Sequence, residues 1–248
     1  MAAPDKSNGY EEIASIFIPG RGRNPSGVGA SVVAEWSRLL PPGATVLDLG
    51  CGAVIPISLT LIARGCSVYG VDASHSMTAE FRSNFPNVPV QCAAVEDSDF
   101  FGRTFDGVVA WGLFFLLSAD VQLQLIEKVA ATLASGGRLL FTAPSEPCSW
   151  LDAMTERTSI SLGHDAYRVA LDGEGMALVG TYVDEGQNYH YSALKRQAAL
   201  GLGVTRVSDE GRNRAYRKSA GINRHIVGNV RVLQERRERI HLGPKSCS

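Results

Sequence analysis

The stretch VLDLGCGAVIPIS, residues 46–58, joins an apolar run containing Asp48 to two glycines, Gly50 and Gly52, that are separated by one residue. Glycine lets the backbone approach a ligand closely, and a helix that follows such a turn points its N-terminal amides at the ligand. In an open parallel sheet, ligands bind outside the carboxyl ends of the strands, where the first connection leaves the sheet. The stretch therefore predicts a ligand site at the end of a first strand.

A second motif, VYGVDAS at residues 68–74, places Asp72 after another apolar run. A carboxylate roughly twenty residues beyond a glycine turn is typical of sites that accept hydrogen bonds from the two ribose hydroxyls of a cofactor. Ile55 stands where a dinucleotide fingerprint needs its third glycine, and the G-K-[ST] of a phosphate-binding loop is absent. The two motifs together favour a ribose-bearing cofactor without phosphates.

Apolar runs rich in β-branched residues alternate with helical stretches, which is typical of a parallel sheet covered on both faces. The last two strands are separated only by EGQN and must form an antiparallel hairpin, because a parallel crossover needs a dozen or more residues. The seven predicted strands are Thr45–Leu49, Ser67–Val71, Val88–Cys92, Phe105–Ala110, Arg138–Ala143, Ala177–Asp184 and Tyr189–Leu194.

Helices are predicted between and around these strands. The clearest, Ala119–Ser135, begins with acidic Asp120, carries one apolar face and ends at a Gly-Gly pair. The others with clear signals are Tyr10–Phe17, Ala30–Leu40, a helix beginning at His164, and Asn229–His241.

Charge divides the chain of 248 residues. Residues 1–195 carry 12 Lys/Arg and 21 Asp/Glu, a net charge of −9, whereas residues 196–248 carry 12 and 4, a net charge of +8. We expect residues 1–44 to be N-terminal helices and a loop over the cofactor and substrate mouth, residues 45–195 to be the core, and residues 196–248 to be a flexible basic extension. Since no long apolar stretch, signal sequence or C-x-x-C pair is present, a cytoplasmic protein without a metal site is expected.

The DLGCG and VDAS motifs make residues 10–195 resemble the class I S-adenosylmethionine-dependent methyltransferases of the small-molecule type. The resemblance implies a Rossmann-like α/β fold whose seven strands lie in the order 3-2-1-4-5-7-6, with strand 7 antiparallel and helices on both faces. It also implies S-adenosylmethionine as the cofactor. The family's third glycine position is Val54 here, whose side chain would either crowd the methionine end of the cofactor or face the helix.

The resemblance carries specific roles to further residues. Asp48 would order the turn or meet the cofactor's amino group, and Arg21 or Arg23 would meet its carboxylate. Near the adenine it places Met77, Val95 as an apolar cover, and Glu96 or Asp97 at the exocyclic amine. The complete set of cofactor-binding residues that we predict is Arg23, Asp48, Gly50, Gly52, Asp72, Ala73, Met77, Val95, Glu96 and Ala110.

The segment after the fourth strand, AWGLFFLL at residues 110–117, has no ionisable group. Methyl transfer from a sulfonium needs positioning and exclusion of water, and a base only if the acceptor must lose a proton. The apolar wall with Trp111 favours a small or soft acceptor, such as a thiol, a metalloid species or an amine that arrives deprotonated; the alternative is that residues 113–117 simply pack in the core. Polar groups would come from the N-terminal helix or the final hairpin, where the candidates are Tyr10, Asn188, Tyr189, His190 and Tyr191. His190 has a pKa suited to a general base, but the sequence identifies no catalytic residue.

The basic C-terminal region leaves two other functions open. An RNA or protein methyltransferase would use it to bind an acidic partner, although it has only one aromatic residue, Tyr216, for base stacking. A non-catalytic protein that binds S-adenosylmethionine is the third alternative. The methyl acceptor and the oligomeric state are left undetermined by the sequence.

Overall fold

The computed structural model describes residues 5–21, 26–53 and 55–197. The predictions for Arg23, Val54, the helix Asn229–His241 and the flexibility of the basic extension lie outside these residues. Among the described residues, no helix is long and apolar enough to span a membrane.

The core is a seven-stranded sheet, to which seven of the nine strands found in the described ranges belong. The strands are β1 Thr45–Leu49, β2 Ser67–Asp72, β3 Val90–Cys92, β4 Phe105–Ala110, β5 Leu133–Thr142, β6 Cys148–Leu151, β7 Thr158–Ser161, β8 Met176–Val183 and β9 Tyr189–Lys195. The sheet order is β3-β2-β1-β4-β5-β9-β8, and β9 runs antiparallel to both β5 and β8. The predicted order and the antiparallel strand are confirmed.

The described residues contain six α-helices: α1 Ala14–Arg21, α2 Ala30–Ser37, α3 Ile57–Ala63, α4 His75–Asn84, α5 Ala119–Thr132 and α6 His164–Gly173. Apolar side chains of α2 and α3 pack on one face of the sheet around Val46 and Leu140. Those of α5 and α6 pack on the other face around Leu47 and Phe141. Because both faces are covered, β1 is buried along nearly its whole length, which explains its continuous apolar sequence.

Several predicted bounds were wrong. The helix predicted at Tyr10–Phe17 starts at Ala14, since residues 8–13 form turns. Helix α5 ends at Thr132 rather than Ser135, because Leu133 is buried and already pairs with Phe105 of β4. The Gly-Gly pair therefore lies within β5, beside an irregularity in its pairing with β4.

The β6–β7 hairpin was not predicted. Its strands pair only with each other, as a separate two-stranded sheet. Each strand has four residues, and Ser and Thr interrupt the apolar pattern, so the sequence carries only a weak strand signal. This hairpin contributes to the site described next.

Candidate functional site

A cavity of about 270 Å³ lies at the carboxyl end of the sheet. Its walls come largely from connections between elements: residues near the N-terminus, the turn after β1, the segments after β2, β3 and β4, the β6–β7 turn and the β8–β9 turn. Of the residues predicted to bind a cofactor, it is lined by Asp48, Gly50, Gly52, Asp72, Ala73, Met77, Val95 and Glu96. Ala110 is fully buried and does not line the cavity; Trp111, Gly112 and Leu113 line it instead.

The turn after β1 requires its glycines. Gly50 and Gly52 both have positive φ angles, 68° and 55°, which glycine adopts without strain. A Cβ atom at Gly50 would also lie 3.2 Å from the Leu113 side chain, whereas one at Gly52 would meet nothing within 4 Å. The backbone at Gly52 therefore borders open space.

Asp72 holds this turn against the end of β2. One carboxylate oxygen accepts a hydrogen bond from the Gly52 amide at 2.8 Å, and the other accepts one from the Ser74 amide at 2.8 Å. Burial raises the pKa of Asp72, and these two hydrogen bonds oppose that shift. Because a carboxylate oxygen has two acceptor positions, each oxygen retains one for a ligand donor.

Asp48 is buried beneath the same turn. The Ser58 hydroxyl, on α3, donates to its Oδ2 at 2.5 Å. Burial raises the pKa of Asp48 to about 7, while the Ser58 hydrogen bond lowers it and the charge of Asp72 raises it further. Asp48 thus ties β1 to α3 and changes protonation near neutral pH.

The next part of the cavity combines apolar walls with an ion pair. Met77 on α4 and Val95 after β3 are both buried and line this part, together with Ala73 and Ala94. The Lys6 ammonium pairs with Glu96 at 3.4 Å and with Asp97 at 2.7 Å. Lys6 and Glu96 line the cavity, whereas Asp97 does not.

Residues 5–13, which we call the N-terminal segment, are attached to the core by further contacts. Glu11 accepts hydrogen bonds from the Ser74 and Ser76 hydroxyls at 2.5 and 2.7 Å and from the Ser76 amide at 3.0 Å. Arg157 of the β6–β7 turn pairs with Glu12 at 2.8 Å and with Asp5 at 3.5 Å. These contacts hold Ser7, Asn8 and Tyr10 on the cavity wall.

Residues of the segment after β4 lie partly in the core and partly on the cavity wall. Phe114 is fully buried and stacks on Phe141 with ring centroids 4.3 Å apart. Its neighbours line the cavity: Trp111, Leu113, Phe115, Leu116 and Leu117. Phe114 therefore packs in the core, as one of the two alternatives for this segment expects, while its neighbours form an apolar wall of the cavity.

Sequence reasoning missed one carboxylate of the site, Asp152, which follows β6 and lines the cavity near Tyr10. The only signal for it was the apolar-polar alternation of CSWLD, which is too short to identify a strand.

His190 lies elsewhere: it is fully buried, does not line the cavity, and its Nε2 lies 2.9 Å from the Asp184 carboxylate. Its pKa is lowered by burial, against the raising effect of Asp184. This pair secures the β8–β9 turn. Within the described ranges, no group of three His, Cys, Asp or Glu side chains is arranged to bind a metal ion.

Comparison with known proteins agrees with this geometry. The family described as "Methyltransferase domain" matches residues 46–137, which include both motifs and the segment after β4. A sequence comparison with curated proteins gave no match.

Three solved structures illustrate the fold. The 1,6-didemethyltoxoflavin N1-methyltransferase of Burkholderia thailandensis, solved with its substrate and S-adenosylhomocysteine, is 19% identical with a TM-score of 0.59 and covers 79% of this chain and 93% of its own. The sugar N-methyltransferase KedS8 of Streptoalloteichus is 20% identical with a TM-score of 0.59 and covers 79% and 97%. The magnesium protoporphyrin IX methyltransferase of Synechocystis, solved with S-adenosylmethionine, is 19% identical with a TM-score of 0.56 and covers 78% and 98%.

At these identities the structures establish a shared fold, and the family match covers the two motifs on which the resemblance was based. The resemblance is confirmed to this extent: residues 46–137 match a methyltransferase domain family, and the fold is the one shared by these solved methyltransferases.

Proposed function

We propose that the protein binds S-adenosylmethionine in the cavity at the carboxyl end of the sheet and transfers its methyl group to a small-molecule acceptor. The observation that carries this proposal is Asp72, whose two oxygens anchor the Gly52 and Ser74 amides and still face the cavity with unused acceptor positions.

The residues that line the cavity fit the cofactor part by part. Asp72 would accept hydrogen bonds from the ribose hydroxyls, while Met77 and Val95 would contact the adenine. Glu96 would lie near the exocyclic amine of that adenine. The methionine part would lie along Gly50 and Gly52, which both line the cavity; the backbone borders open space at Gly52.

Bound S-adenosylmethionine would supply a methyl group on a positively charged sulfur. The methyl carbon would bond to the acceptor while the electron pair of the broken carbon–sulfur bond stays on sulfur, and any acceptor proton would leave to a base or to water. The protein's task is to align the two reactants and exclude water. Trp111, Leu113 and Phe115 supply an apolar wall for this purpose.

Three solved proteins of this fold act on small molecules, according to their descriptions: a toxoflavin precursor, a sugar and a porphyrin. They support the acceptor class without identifying the acceptor. The function that competes is methylation of RNA or protein, favoured by the +8 charge of residues 196–248.

Calorimetric titration with S-adenosylhomocysteine, followed by assays with methyl-labelled S-adenosylmethionine, tests the proposal. We expect saturable binding to one site per chain and label transfer to a low-mass acceptor. Transfer to RNA or protein that is lost on removal of residues 198–248 would favour the competing function. Binding without transfer to any acceptor would favour a non-catalytic role.

A further inference from the structure

The part of the cavity formed by Tyr10, Trp111, Phe115, Asp152 and Asn188 is the acceptor side in the proposed function, and the inference below rests on that function. It lies between the N-terminal segment, the segment after β4 and two turns. Its polar groups determine which acceptor it can bind.

One carboxylate oxygen of Asp152 accepts hydrogen bonds from backbone amides of its own turn, and the other does not. Oδ1 accepts hydrogen bonds from the Met154 amide at 2.9 Å and the Thr155 amide at 3.0 Å. Oδ2 has a single hydrogen bond among the described residues, a long one of 3.5 Å from the Tyr10 hydroxyl. Since Asp152 is only 8% exposed, a buried carboxylate oxygen with little compensation borders the cavity.

Asn188 presents a second oxygen of the same kind. Its amide nitrogen donates to both oxygens of Asp184, each at 3.0 Å. The network thereby orients the side chain with its carbonyl oxygen free of hydrogen bonds within the described part of the chain. Two side chains on the acceptor side thus offer acceptor oxygens, so a ligand that donates hydrogen bonds is required.

The charges of the residues that line the cavity also favour a ligand that donates hydrogen bonds. The described residues that line it include four carboxyl groups and one cation, Lys6, which is already paired with Glu96 and Asp97. An anionic group placed next to Asp152 would therefore meet no cation there. Aromatic rings of Trp111, Phe115 and Tyr10 flank the same space, and such rings favour cations over their faces.

We propose that Asp152 determines acceptor specificity by binding the charged amine of a compact apolar or aromatic molecule, with the Asn188 carbonyl accepting a further N–H hydrogen bond. This amine serves for recognition; because an ammonium nitrogen has no lone pair, the methyl group goes to a different atom of the acceptor. Alcohols of the same skeleton would bind more weakly, because they bring one donor and no charge. Carboxylic acids of that skeleton would be excluded by repulsion.

The test uses the full chain loaded with S-adenosylhomocysteine, and 2-phenylethylamine and tryptamine as probes, each compared with the alcohol and the carboxylic acid of the same skeleton. We expect each amine to bind about tenfold more tightly than its alcohol, the order of magnitude of one charge-assisted hydrogen bond, and the acid more weakly still. Calorimetry or fluorescence titration measures the dissociation constants.

Asp152→Asn is the decisive variant, because its amide oxygen preserves the two turn hydrogen bonds at Oδ1 while the charge at Oδ2 is lost. It should reduce the preference for amine over alcohol to below threefold and leave the affinity for S-adenosylhomocysteine unchanged. Asp165→Asn, which removes a charge from a side chain that is 91% exposed on α6, should change neither quantity.

The inference is overturned if neither amine binds more tightly than its matched alcohol, or if Asp152→Asn retains the full preference. Failure of the proposed function looks different, since the unmodified protein would then either not bind S-adenosylhomocysteine or bind it without methyl transfer to any low-mass acceptor.

Discussion

Replacement of Asp72 by alanine tests the cofactor geometry most sharply. Each oxygen of Asp72 already accepts one backbone amide at 2.8 Å, which fixes the carboxylate and leaves one acceptor position per oxygen for a ribose hydroxyl. A hydrogen bond to a charged acceptor contributes about 1.5 kcal/mol or more, so one to two lost bonds weaken S-adenosylhomocysteine binding by about 1.5–3 kcal/mol. This loss corresponds to a dissociation constant that rises about 12-fold to 160-fold.

The assay is calorimetric titration, with circular dichroism to verify that the variant is folded. Asp106→Ala is a matched control, because Asp106 also accepts a backbone amide, that of Thr45 at 2.8 Å, but at the opposite end of β1. It should lower stability and leave the affinity unchanged. An Asp72→Ala protein that is folded and binds as tightly as the unmodified protein would refute the assignment of the ribose to Asp72.

Three further predictions concern other parts of the molecule. The pKa of about 7 at Asp48 exceeds its ordinary value of 3.8, so between these pH values the folded protein binds a proton that the unfolded chain releases. The free energy of unfolding therefore falls by up to about 1.4 kcal/mol per pH unit as pH rises from about 4 towards 7. Urea unfolding of Asp48→Asn should lack this contribution. If the two proteins show the same pH dependence, Asp48 is ionised throughout. Glu11→Ala removes three hydrogen bonds from Ser74 and Ser76. It should accelerate amide exchange in residues 5–13 and weaken S-adenosylhomocysteine binding several-fold, which corresponds to about 1 kcal/mol. Unchanged amide exchange would contradict the role of Glu11 in holding the N-terminal segment. Truncation after Gln197 should leave the sheet folded and able to bind S-adenosylhomocysteine, because β9 ends at Lys195; an insoluble product would show that residues 198–248 are structural.

The sequence predicted the sheet well because its signals are local and strong. Buried parallel strands such as β1 are continuous apolar runs, and the short EGQN connection allows only an antiparallel hairpin. The strand order was confirmed, although it required the family resemblance as well as the hairpin.

Element ends depended on tertiary contacts and were less predictable. Leu133 has helix-forming propensity, yet its burial and its pairing with Phe105 begin a strand there. The β6–β7 hairpin was not predicted because its eight strand residues have mixed polarity and show no clear apolar period.

Residues on the cofactor side of the site were easier to predict from the sequence than residues on its acceptor side. Gly50, Gly52 and Asp72 belong to motifs with a fixed spacing, so their neighbourhood in space follows from the fold. Asp152 and Asn188 reach the cavity from turns whose positions depend on packing, and no spacing in the sequence connects them to the motifs. Asn188 was among the polar residues that the sequence named as candidates, whereas Asp152 was not predicted.

The most direct test of the central claim is a crystal structure of the full chain with S-adenosylhomocysteine. We predict that the ribose hydroxyls lie within hydrogen-bonding distance of both Asp72 oxygens, with the adenine between Met77 and Val95 and the homocysteine along Gly50 and Gly52. The claim would be contradicted by crystals in which the ligand, at saturating concentration, lies outside this cavity or contacts Asp72 through neither hydroxyl.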